Sequence, residues 1–167
     1  MVHTWNMRRS VLLMLLFVLP AIAQAPGEPE TVLAGIDLHH TPIASVAKLY
    51  GEPEGVYAAP EPYPVGTKQY KWGRLTVTLM VLTQPTSSGD NITAIQIQGE
   101  GDQKSISRTG RGLKLSDKAD VIKKLYGVEP AAPSTTIKWA SGEELIVHLN
   151  DKSRVDRLQL GLSSSPK

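Results

Sequence analysis

Two histidines stand side by side at His39 and His40, two residues after Asp37 and just ahead of a helix-like segment. Imidazoles and carboxylates ligate metals, and His148 or Asp37 would complete such a set. The spacing argues for less. Ligand pairs on regular elements sit two to four residues apart so that their rings converge, whereas adjacent strand residues point to opposite faces. No helical His-x-x-x-His occurs, and polar residues leading into a helix account for the pair. His148 falls on the polar phase of an alternating segment, as a solvent-facing side chain does.

Other chemistries find equally little. Serines are plentiful, but none stands in the Gly-x-Ser-x-Gly turn that exposes a nucleophile. Glu143 and Glu144 are consecutive at a strand entrance, not a facing pair of the kind glycoside hydrolysis uses. "RTGRG", Arg108 to Gly112, lacks the Lys-Ser/Thr and the helix start of a phosphate loop and reads as a basic connector. "NIT" at Asn91 matches a glycosylation acceptor. The expectation is a chain that is not an enzyme and needs no cofactor and no metal.

The elements that would position any site begin after a processing signal. Arg8 and Arg9 precede the apolar run Val11 to Ala23, which ends in Ala-Ile-Ala. Thirteen residues are too few to span a bilayer core, which needs about 20. Cleavage is expected between Ala23 and Gln24, with no stable membrane anchor afterwards. The remaining 144 residues carry sixteen basic and sixteen acidic side chains and no Cys. A neutral chain offers no electrostatic argument for nucleic acid. Without cysteine, an exported chain relies on a packed core alone. A secreted or periplasmic location follows from the signal.

"KLYGEP" at residues 48–53 returns as "KLYGVEP" seventy-six residues later. In the first copy Thr41 is a candidate N-cap with Pro42 at the first helical position. Ile43, Val46, Ala47 and Tyr50 make one apolar stripe, and Gly51 then Pro53 stop the helix. In the second, Asp117 is the candidate cap, Ala119, Ile122 and Tyr126 the stripe, and Gly127 and Pro130 the stop. Downstream, "YKW" ending at Trp72 faces "IKW" ending at Trp139. Leu75, Val77 and Leu79 alternate as Leu145, Val147 and Leu149 do, and Ile92, Ile95, Ile97 match Val155, Leu158, Leu160.

The fold expected is therefore α+β: a tandem repeat of one helix followed by three antiparallel strands, the helices packed on one face of the sheet. The divisions are a signal peptide (1–23), a flexible leader (24–34), unit one (35–99), a connector (100–111), unit two (112–162) and a tail (163–167). Tyr50, Gly51, Trp72, Tyr126, Gly127 and Trp139 are the structural repeat positions. Length differences fall in connections: unit one carries the Pro-rich "EPEGVYAAPEPYPVG" and the hairpin insertion "TQPTSSGD".

The segments "GIDLHHTPIASVAKLYG" and "TGRGLKLSDKADVIKKLYG" resemble beta-lactamase-inhibitor-protein-like repeats and the related small outer-membrane-assembly lipoproteins of bacteria. The family's phrase is Gly-hydrophobic-x-hydrophobic, a cap, then Tyr-Gly-x-Pro and strands; the second segment places its Pro130 one residue later. The resemblance covers roughly Gly35 to Leu160 and implies action by binding other proteins. This chain lacks the lipoproteins' lipid-attachment Cys, so their membrane tether does not carry over.

The expected function is thus an exported, non-catalytic protein-interaction module, an inhibitor or cell-envelope accessory. Its partner is another protein. Tyr57 and Tyr63 of the Pro-rich segment are the candidate contacts, because tyrosines supply contact area and prolines lower the cost of ordering. The alternative is a small-ligand or metal-binding periplasmic protein using the groove between units, or His39 and His40.

Overall fold

Leu79, Ile97, Leu158 and Val147 lie side by side on four neighbouring strands, and each is fully buried. The next row along the same face is Val81, Ile95, Leu160, Leu145 and Ile137, also fully buried. Period-two alternation places these side chains on one face, and that face is the core. The structure is a computed structural model of the chain and describes residues 21–24, 27–61, 63–73, 77–87, 89–99 and 108–163.

The strands, in chain order, are β1 (Ala21–Gln24), β2 (Val32–Leu33), β3 (Ile36–Asp37), β4 (Gly55–Ala58), β5 (Lys68–Trp72), β6 (Val77–Thr86), β7 (Gly89–Gly99), β8 (Ser134–Lys138), β9 (Glu143–Leu149) and β10 (Val155–Leu162). Helix α1 is Ile43–Tyr50 and α2 is Asp120–Tyr126. One sheet has the order β1-β8-β9-β10-β7-β6-β5-β4, and β2 pairs with β3 in a separate hairpin. The seven strands from β8 to β4 run antiparallel, and β1 adds to β8 in parallel. Val46 of α1, Ile122 and Tyr126 of α2, and Leu33 and Ile36 of the small hairpin join the strand residues in one buried cluster.

The expected tandem of one helix and three strands is overturned. Among the described residues strand far outweighs helix, and the two helices are only eight and seven residues long. Three physical causes account for the difference. Part of the Pro-rich segment is a strand, because Pro53 and Pro60 flank β4 without interrupting it. The insertion read as a hairpin loop mostly prolongs β6 and β7 to 10 and 11 residues, with Pro85 facing Asp90. The segment before α1 contributes its own hairpin, turning through Ala34 and Gly35 at positive φ.

Helix starts also differ. Pro42, not Thr41, is the N-cap of α1, and Thr41 Oγ1 instead accepts from Asp37 N at 3.0 Å. α2 starts later than expected, after Ala119, and Asp117 Oδ2 accepts from Lys114 N at 2.9 Å. Both helices end at glycine: Gly51 (φ 79°) and Gly127 (φ 69°) each donate back to the helix. Of the expected divisions, most of the signal segment (1–20), most of the connector (100–107) and the end of the tail (164–167) lie outside the described residues. Ala23 and Gln24, the expected cleavage pair, belong to β1.

Candidate interaction surface

β4 closes one end of the sheet, pairs with β5 on its inner side, and has no strand on its outer side among the described residues. Its register sets Val56 against Tyr70 and Tyr57 against Gln69. Tyr57 therefore lies on the sheet face of Gln69, Leu82 and Ala94, opposite the core. Val56, at 51%, and Tyr57, at 55%, are well exposed, and they are followed by Tyr63 at 37% and Val65, which is fully exposed. Among the described residues, four of the six exposed large hydrophobic side chains thus fall between residues 56 and 65. Scattered apolar exposure is ordinary, but such clustering marks contact surfaces.

Local packing explains how the tyrosines are held. A side chain at Gly55 would overlap the Tyr57 ring, so glycine there lets the ring lie back along its own strand. Pro60 and Tyr63 fold over Met80, Leu82 and Ala94 and leave an apolar groove of about 180 Å³. Residues 51–66 include Glu52, Glu54 and Glu61 and no Lys or Arg, while Lys71 and Lys68 face Gly55 and Ala58 from β5. Across β5, Lys68 pairs with Asp90 at 2.9 Å.

His39 and His40 have ring centres 6.3 Å apart but form no ligand set. His39 Nε2 meets Glu143 Oε1 at 2.8 Å, and His40 Nδ1 meets Asp37 Oδ1 at 2.9 Å. His148 stands on the outer face of β9 opposite Arg157. Among the described residues no three His, Cys, Asp or Glu side chains converge on a metal position. His39 and His40 line a cleft of about 550 Å³ between the start of α1 and the β6–β7 turn, with Asp90 and Asn91 on the far side.

Glu143 also receives the Ser141 hydroxyl. Burial would raise its carboxyl, but Ser141, its own backbone N–H and His39 together hold it below the ordinary value. The carboxylate thus stands between Ser141 and His39, whereas nucleophile activation needs the imidazole on the hydroxyl. Glu144 points to the other face and pairs with Lys138 at 3.3 Å, so the two glutamates act separately. Sequence reasoning passed over the Ser-x-x-Lys spacing at Ser45 and Lys48 of α1. Lys48 is exposed there, and among the described residues no hydrogen bond joins the two.

The repeated aromatics sit between helix ends and sheet. Tyr50 donates to Ala34 O, and burial raises its phenol. Trp72 Nε1 donates to Gly51 O at 2.8 Å and its ring stacks on Tyr70. Tyr126 and Trp139 meet edge to face at 6.2 Å, with the Arg111 guanidinium 5.2 Å from the Tyr126 ring centre. The connector's end is packed: Thr109 is buried on the Tyr126 hydroxyl, and Gly110 N donates to Val32 O. The leader is anchored by Glu30, buried and bonded to Tyr126, a link no short-range pattern announces.

No protein-family model matches the chain, and no curated protein matches it. Among solved structures, a DUF4309 family protein (YjgB) from Bacillus subtilis subsp. subtilis str. 168 is similar at 16% identity and a TM-score of 0.43, covering 77% of this chain and 83% of that one.

Proposed function

We propose that this chain is an exported, non-catalytic protein that works by binding another protein through β4 and the Pro-rich segment after it. One observation carries the reading: Val56 and Tyr57 are exposed on the edge strand, Tyr63 and Val65 are exposed in the segment that follows it, and Tyr63 lines a largely apolar groove. Large apolar side chains left in water within ten residues are costly unless a partner covers them. The separation of Ser141 from His39 by Glu143 supports a non-catalytic role. The resemblance of the two "KLYG" segments to those of exported inhibitor proteins points the same way. The apolar run ending at Ala23 supports export, as an inhibitor or envelope accessory.

The test is affinity capture from the extracytoplasmic fraction with cross-linking, using the wild type and a Tyr57→Ala, Tyr63→Ala variant. A partner held by the wild type and lost by the variant supports the reading. Failure to recover any partner, or equal recovery by both, contradicts it.

The cleft at His39 and His40 supports a second reading, a small ligand or divalent metal. Calorimetry with divalent metals tests it: tight stoichiometric binding abolished by His39→Ala, His40→Ala would favour that reading over the first.

A further inference from the structure

Resting on the reading of β4 as a contact surface, we infer that the partner docks as an extended strand added to the outer edge of β4, and that this strand is basic and apolar. The backbone geometry is the first support. Ala59 N donates to Thr67 O at 2.9 Å, which continues the ladder in which Tyr57 faces Gln69 and Gly55 faces Lys71. Hydrogen-bonded pairs alternate in an antiparallel ladder. Gly55 and Tyr57 therefore turn their backbone groups to β5, and Val56 and Ala58 turn theirs away from the sheet. Those outward groups form a ready template for another strand.

Proteins normally guard such an edge with charge or proline within it. Gly55–Ala58 carries neither, while Pro53 and Pro60 bracket it. The guards at the flanks limit the paired stretch to about four residues, in keeping with how proline ends a ladder. Side chains of the added strand would alternate between Val56 on the core side and Tyr57 on the outer side, so apolar residues suit both.

Charge selects the occupant. Glu52, Glu54 and Glu61 flank the edge, and of the two lysines that face it from β5, Lys71 and Lys68, the latter is paired with Asp90, so the acidic side chains outnumber the remaining cation. A second copy pairing β4 with β4 would bring these glutamates against their equivalents, which like-charge repulsion disfavours. A partner strand with Lys or Arg beside its apolar residues meets complementary charge and is steered to the edge.

The probe is a synthetic peptide alternating valine and threonine with lysine at each end, titrated into the full mature protein and followed by amide NMR. The expected result is saturable binding with the largest shifts at Val56 and Ala58. Ala58→Pro removes one outward N–H at an edge position that tolerates proline, so the fold stays while affinity falls about tenfold or more. Methylating alternate peptide nitrogens should do the same, and glutamate in place of the terminal lysines should weaken binding further. Equal binding to wild type and Ala58→Pro overturns strand addition while leaving Tyr57 and Tyr63 as a side-chain contact surface. Binding that favours the glutamate peptide overturns the basic partner. No binding of any peptide, alongside a captured partner that still depends on Tyr57 and Tyr63, overturns strand addition alone.

Discussion

The Tyr126 hydroxyl donates to Glu30 Oε2 at 2.9 Å, joining the end of α2 to a residue 96 positions earlier. Glu30 Oε2 also accepts from Arg111 N at 3.1 Å, and Thr109 shares the hydroxyl at 2.8 Å. Burial beside that carboxylate pushes the Tyr126 phenol well above its ordinary range. A side chain at Gly110 would come within 2.7 Å of Glu30 Oε1, so glycine keeps the cradle open. Tyr126→Phe should cost about 1–3 kcal/mol in urea unfolding, and Glu30→Ala more, because it strands several buried donors. An unchanged midpoint for Glu30→Ala would show that the leader is not held by this contact.

Trp72 and Trp139 make a matched pair with one difference. Trp72 Nε1 reaches Gly51 O, whereas Trp139 Nε1, equally buried, meets no acceptor among the described residues. Trp72→Phe should therefore destabilise more than Trp139→Phe by about 1 kcal/mol, read from chemical unfolding of the two variants. The reverse order would contradict the assigned bond.

His148 sets a pH dependence. Burial first, and the neighbouring Arg157 charge second, hold its imidazole below the ordinary value of 6.5. The unfolded chain therefore takes up a proton at a higher pH than the folded one. Stability from this site is complete above about 6.5 and is lost as pH falls through that value toward the folded one. Thermal melts of wild type and His148→Gln from neutral to mildly acid pH should show a smaller decline in the variant. Parallel curves would remove the site from the account.

Much of this fold was legible where a signal is local. Glycines after Tyr50 and Tyr126 announce the helix ends, and Leu145, Val147 and Leu149 alternate as they do in the sheet. What escaped was set by distant partners. β4 is four residues between prolines, too short to show a period, and it is a strand because Lys68–Trp72 lies beside it. Thr83 to Thr86 and Gly89 to Asn91 look like loop by composition, yet the ladder extends through them. In the proposed surface, Tyr57 and Tyr63 were readable as residue types, but the edge position of Val56 and the Gly55 seat needed the register.

Export predicts a definite N-terminus. Secreted protein should have an intact mass starting at Gln24, and a recombinant chain starting there should melt within a few degrees of the full chain. β1 pairs with the sheet through β8 alone and contributes one peripheral ladder. A mass retaining residues 1–23 would contradict cleavage.

The proposed protein contact rests on Tyr57 in β4 and Tyr63 beyond it. Affinity for the captured partner, measured with wild type and with Tyr57→Ala, Tyr63→Ala, tests it most directly. Tyr57 is 55% and Tyr63 37% exposed, so the melting temperature should fall by no more than a few degrees. Binding should weaken at least tenfold, about 1.4 kcal/mol. Unchanged affinity in a variant that still folds would rule out this surface as the contact.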